Sequence, residues 1–197
     1  MTVSNHISAW QKTQNGLSLS GRGEQALLDL PMTAFFASRQ CPGTAIRAAM
    51  DWAVQQVRVK NAVVSGFHSP LEQSVLKVLL QARSPAVVVL ARPVEGAKLP
   101  PEWTDPLAQG HLAVVSAAIT ASRLTDAVAI ARNHLVAQLA TDIVVAHASP
   151  GGVLASLLAK WQLEKPGLVQ LLASANIPSI SLSLALDNEI ENVKKLF

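Results

Sequence analysis

Ser122 to Gly152, SRLTDAVAIARNHLVAQLATDIVVAHASPGG, is the stretch that decides how the chain is read. Leu124, Ala127, Val128, Ala131, Leu135 and Leu139 recur at helical spacing and predict one apolar stripe, with Ser122 as the N-cap. Ile143, Val144, Val145 and Ala146 form an uninterrupted β-rich run, the pattern of a strand covered on both faces. Ser149-Pro150-Gly151-Gly152 then gives a tight turn of small side chains ahead of another helix, predicted over Val153 to Trp161. The positive end of that helix dipole favours an anion beside the turn. A strand, a glycine turn and a helix suit a phosphate, although a plain sharp turn reads the same way.

Working outward, the same alternation recurs. Leu30 to Ala37 reads as the first core strand, followed by a Pro42-Gly43 turn and a helix capped by Thr44, with Ile46, Ala49, Met50, Ala53, Val54 and Val57 on one face. Asn61 to Gly66 reads as a strand. Ser69, Pro70 and Glu72 form a helix start signal, and Leu71, Val75, Val78 and Leu79 give that helix its buried face. Ala86 to Leu90 and Leu112 to Ser116 are further strands, separated by a proline-rich surface loop over 93–110 that carries Trp103. Gly167 to Ser174 reads as a short helix, Ile177 to Leu184 as a last strand, and Asp187 to Phe197 as a short terminal helix. The expected architecture is an α/β, doubly wound, mostly parallel sheet with helices on both faces. Residues 1–23 read as an N-terminal arm pinned by Ile7 and Trp10, 24–186 as the Rossmann-like domain, and 187–197 as a C-terminal tail.

Composition bounds the function. The chain has 197 residues, half of them hydrophobic and only 15% charged, which suits a packed domain rather than a disordered one. The apolar runs are too short to span a membrane, and the N-terminus lacks a signal-peptide layout. One cysteine, Cys41, excludes an internal disulfide and fits a reducing cytoplasm; it has no histidine at a spacing that suggests a nucleophile. The histidines are dispersed and lack metal-ligand spacing. The net charge of +3 permits nucleic acid as a partner without requiring it.

In a doubly wound sheet, ligands bind beyond the carboxyl ends of the strands. Those ends carry Ser38-Arg39, Ser65-Gly66-Phe67-His68, Arg92, Ser116 and Ser149 to Gly152, with no Asp or Glu among them. Hydroxyls, backbone amides and an Arg fork suit phosphate groups. Arg39 is the leading candidate to hold one in two-pronged fashion, and a surface salt bridge is its structural alternative. Arg132 and Asn133 lie off the apolar stripe of their helix, so they are free for a ligand or for capping a neighbouring loop.

The order of these motifs resembles the Rossmann-like domain of the DNA-processing protein A (DprA/Smf) family, within the wider group that holds the LOG nucleotide hydrolases. Ser38-Arg39 is similar to the family's Gly-Ser-Arg, Val64-Ser65-Gly66-Phe67 to its Val-Ser-Gly-Leu, and Arg132-Asn133-His134 to the start of its Arg-Asn-Arg-Ile-Ile-Ala-Gly-Leu. The strand at Ile143 and the turn at Gly151-Gly152 match by position, and the likeness spans roughly residues 30–161. The chain departs at Ala37, at His134, at His68 to Glu72 where the family has Ala-Arg-Gly-Ile-Asp, and at His147. No winged-helix segment like that of full-length members follows, so the chain reads as a shortened, diverged relative.

The resemblance implies single-stranded DNA binding. The leading expectation is a non-catalytic protein that holds single-stranded DNA or another nucleotide-like ligand through Ser38, Arg39, Ser65, Gly66, Phe67, His68, Arg132, Asn133, Ser149, Gly151 and Gly152. No cofactor, metal or membrane partner is expected; a homodimer and a cytoplasmic location are. A LOG-like phosphoribohydrolase is the alternative, but Pro150-Gly151-Gly152 continues as Val153-Leu154-Ala155, without that family's further Gly-Thr step and catalytic Glu. An oligomeric scaffold is the third reading.

Overall fold

Each parallel strand sends alternate side chains to opposite faces of the sheet, and this period of two divides the core in half. From residues 32 to 37, Met32, Ala34 and Phe36 enter one cluster while Phe35 and Ala37 enter the other. The computed structural model describes residues 9–118 and 125–172. Within them, the order is β1 (Ala9–Gln14), β2 (Leu17–Gly23), a 3-10 turn (Gln25–Asp29), β3 (Met32–Ala37), α1 (Gly43–Val59), β4 (Ala62–Ser65), α2 (Pro70–Gln81) and β5 (Ala86–Val89). A second 3-10 turn (Pro101–Trp103) then leads into α3 (Thr104–Ala108), β6 (Leu112–Ser116), α4 (Asp126–Leu139), β7 (Asp142–His147), α5 (Val153–Glu164) and β8 (Val169–Leu171).

These strands form one eight-stranded sheet in the order β1-β2-β6-β5-β4-β3-β7-β8. The six strands from β6 to β8 are parallel, and the β1–β2 hairpin joins antiparallel at the β6 side. The doubly wound α/β expectation therefore holds. The chain steps from β3 outward to β6, then returns across the sheet to place β7 on the other side of β3. A crevice opens at such a reversal, between the carboxyl ends of β3 and β7. On one face α1 and α2 cover the strands, with Trp52 stacked on Phe35 at 4.9 Å. On the other face α4 and α5 do so, with Trp161 stacked on Phe36 at 4.7 Å.

Several sequence expectations shift. In α1 the buried residues are Ala45, Ala49, Trp52 and Ala53, while Ile46 and Val54 are exposed. The largest ring on the helix takes the core position and sets its rotation, and Pro42, not Thr44, is the N-cap. In α4 the N-cap is Thr125 and only Leu135, Val136, Ala137 and Leu139 are buried; Ala127 and Ala131 face out, and Ser122 and Leu124 lie outside the described residues. The first half of α4 thus leaves the apolar cover to its last turns. The 93–110 loop contains the short helix α3. Where a helix is expected over Gly167 to Ser174, the described residues hold strand β8 (Val169–Leu171) instead: Gly167 turns with φ +86°, and Ile143 N–H donates to Leu168 C=O at 2.8 Å to begin pairing along the free edge of β7. The strand and terminal helix expected after residue 176 lie outside the described residues.

The described part of the expected N-terminal arm is a hairpin built into the sheet. Trp10 packs across the strand pair on Gly21, where an added Cβ would fall 2.3 Å from the ring, and its Nε1–H donates to Gly23 C=O at 2.8 Å. An aromatic ring shields the backbone that glycine leaves bare. Gly21→Ala should displace Trp10, destabilise the protein by about 1–3 kcal/mol, and speed amide hydrogen exchange over residues 9–14. Unchanged protection there would show that the ring does not hold the hairpin.

Candidate functional site

The carboxyl ends of β3, β4 and β7 are joined by side-chain-to-backbone hydrogen bonds. Ser38, directly after β3, donates its N–H to His147 C=O at 2.9 Å and accepts Ser149 N–H on its hydroxyl at 2.9 Å. This lashes the loop after β3 to the loop after β7. After β4, the buried Ser65 hydroxyl accepts Phe67 N–H at 3.1 Å. Phe67 sits in the left-handed region at φ 46° with its ring buried, so the chain turns sharply there. Gly151, at φ 72°, and Gly152, whose N–H donates to Ser149 C=O at 3.0 Å, complete the turn into α5.

A buried carboxylate unites these loops. Ser69 and Glu72 form a capping box at the start of α2, with the Ser69 hydroxyl accepting Glu72 N–H at 3.2 Å. Glu72 Oε2 accepts Ser69 N–H at 3.1 Å and His68 N–H at 2.7 Å, while Oε1 accepts Ala37 N–H at 3.0 Å. One side chain of the first turn of α2 thus binds the last residue of β3 and the two residues that end the loop after β4. Burial pushes its carboxyl above the usual range, opposed by the three backbone donors and by the nearby Arg132. In the sequence Glu72 reads only as a helix start signal, and no carboxylate is expected at the strand ends. The structure corrects this: Glu72 lies beneath them. Its burial has a trace in the sequence, because positions 72, 75, 76 and 79 share one helical face and the other three are apolar.

The cations lie above this brace. Arg132 reaches from α4 across the backbone of Gly66, where an added Cβ would stand 2.7 Å from its Nε. Asn133 Oδ1 accepts from Arg132 Nη2 at 3.0 Å and Nε at 3.3 Å, which orients the guanidinium. Arg39 is exposed and, among the described residues, takes part in no ion pair. His68 has its pKa lowered first by burial, then by the charges of Arg132 and Arg39, so both guanidiniums act on one imidazole. The structure therefore brings Ser38, Arg39, Ser65, Gly66, Phe67, His68, Arg132 and Asn133 to one end of the sheet, with Ser149 tied to Ser38. Gly151 is exposed and meets nothing within 4 Å at its Cβ position, so it shapes the turn without packing on the other loops. Arg92 and Ser116, at the carboxyl ends of β5 and β6, are engaged locally instead: Arg92 donates to Lys98 C=O at 3.3 Å, and the buried Ser116 hydroxyl donates to Leu90 C=O at 3.3 Å. Cys41 donates to Ser38 C=O at 3.2 Å, and burial pushes its thiol up, away from the thiolate.

The family model of DNA recombination-mediator protein A matches residues 7–166. The chain belongs to that family. The DNA processing protein A of Helicobacter pylori, whose solved structure is described for its single-stranded DNA binding mode, aligns with a TM-score of 0.67 at 16% identity, over 83% of this chain and 79% of that one. The DNA processing protein A of Streptococcus pneumoniae aligns with a TM-score of 0.66 at 16% identity, over 94% of this chain and 70% of that one. At such identities these likenesses speak to fold. No curated protein matches the chain. Among the described residues, no helix is long and apolar enough to cross a membrane, and no three of His, Cys, Asp and Glu gather as a metal site.

Removing the Glu72 carboxylate would leave three N–H groups without an acceptor, two of them buried and one half-buried. Glu72→Ala should therefore destabilise the protein by about 3 kcal/mol or more, measured by urea denaturation. A loss under about 1 kcal/mol would mean that water or another group replaces the carboxylate readily.

Proposed function

We propose that this member of the DNA recombination-mediator protein A family binds single-stranded DNA at the crevice between β3 and β7, without chemistry of its own. The observation that carries the reading is the convergence of Arg39, Arg132 and His68 over a rim whose buried carboxylate already faces backbone amides. Positive side chains held apart from surface acids attract a phosphate backbone, and this attraction does not depend on base sequence. Asn133 fixes the direction of one guanidinium, and the Ser38–Ser149 bond fixes the distance between the two loops. Family membership supports the reading, as does the single-stranded DNA binding described for the Helicobacter pylori protein.

The test is a fluorescence anisotropy titration of a labelled oligothymidylate at several salt concentrations. Affinity should fall as salt rises. Arg39→Ala should weaken binding and reduce the slope of log K against log salt by about 0.7 for each phosphate that is no longer neutralised. Absence of binding at low salt would sink the reading.

A second measurement follows the imidazole. His68 is held below its ordinary pKa partly by two neighbouring cations, and a bound phosphate would offset them. The His68 pKa, followed by NMR, should rise when the oligonucleotide binds. Because the complex then holds the proton more tightly than the free protein, affinity should increase as pH falls through the bound-state value. A His68 titration unmoved by saturating oligonucleotide would place the phosphates away from this residue.

A further inference from the structure

A second feature begins at the same loop. Gly66, Phe67 and His68, which edge the crevice, also form one end of a groove of about 930 Å³ that runs between α2 and the segment from Arg92 to Pro106. Its apolar surface comes from Leu76, Leu80, Leu90, Leu99 and Trp103, beside Phe67. Lys77, Arg92 and Lys98 line it as well, outnumbering Glu102 and Asp105. The Arg92 bond to Lys98 C=O spans the segment and shapes that wall. Trp103 is half-buried and packs on the α1/α2 side of the core, so its indole has a fixed seat. Trp52 and Trp161, by contrast, are buried and stacked on phenylalanines.

We propose that this groove takes a nucleobase of the strand whose phosphates lie at the Arg39–Arg132 rim, with Trp103 as its aromatic wall. The inference rests on the DNA-binding reading above and adds a place for the bases. Three features favour this occupant. The groove is continuous with the rim through Gly66–His68, so a strand held at the rim has bases within reach of it. Its apolar lining with a basic edge matches a flat heterocycle attached to an anionic backbone. Stacking on an aromatic side chain tolerates any base, which suits a binder that does not read sequence.

The test compares two labelled strands of equal length on the full chain, one an oligothymidylate and one an abasic strand with the same phosphates. The intact strand should bind more tightly. Trp103→Ala should weaken intact-strand binding about tenfold or more while leaving abasic binding unchanged, and Trp103→Phe should restore most of the difference. Equal binding of both strands to the wild-type protein, with the usual salt dependence, overturns the groove and leaves the rim standing. Failure of both strands to bind removes the rim and the groove together. Should Trp103→Ala fail to fold, ultraviolet cross-linking of the wild-type protein to an oligonucleotide carrying 4-thiothymidine decides: adducts on Trp103 or Leu99 support the groove, and adducts confined to the rim overturn it.

Discussion

The candidate site depends on one buried carboxylate. A side chain with two oxygens accepts three N–H groups from two separate pieces of chain, the end of β3 and the loop between β4 and α2, where a parallel sheet leaves its backbone unpaired. Hydrogen bonds to an ionised acceptor are stronger than neutral ones, but a buried charge is tolerated only when its partners are in place. Here the partners are backbone groups, whose positions follow from the course of β3, β4 and α2. Fold and site thereby constrain each other: the strands deliver the amides, and the carboxylate holds the loops that the strands release.

This arrangement also shapes the field around the crevice. A carboxylate at the surface would pair with Arg39 or Arg132 and cancel it. Glu72 instead sits below the rim, directed at backbone donors and close enough to Arg132 to favour its charged form without a direct ion pair. Burial lowers the Arg132 pKa and the Glu72 charge opposes that shift. Asn133 supplies the directional contact that a carboxylate would otherwise make, and does so without removing positive charge.

The fold was legible in the sequence because parallel strands covered on both faces must be continuously apolar, as at Val87 and Val88 or Val144 and Val145. The start of α2 was legible because Ser69, Pro70 and Glu72 carry their cap chemistry locally. What escaped was non-local. Helical spacing alone could not choose between the Ile46 and Trp52 faces of α1, since that choice follows from Phe35 on a different element. The hairpin at residues 9–23 has polar outer positions and glycines, so its pairing with β6 leaves little trace in composition. The role of Glu72 depends on Ala37, thirty-five residues earlier, and only its place among apolar neighbours on the helix hinted that it was inside.

The single bond between Ser38 and Ser149 bears on kinetics. Loops that order only on meeting a ligand lose conformational freedom at that moment, and the loss slows or weakens association. Here two loops that flank the crevice are tied to each other across 111 residues of chain. The spacing of these loops is thus set by the fold's own bonds. If a flexible polyanion binds here as proposed, the ordering cost falls mainly on the polymer, and its capture would be governed by long-range attraction.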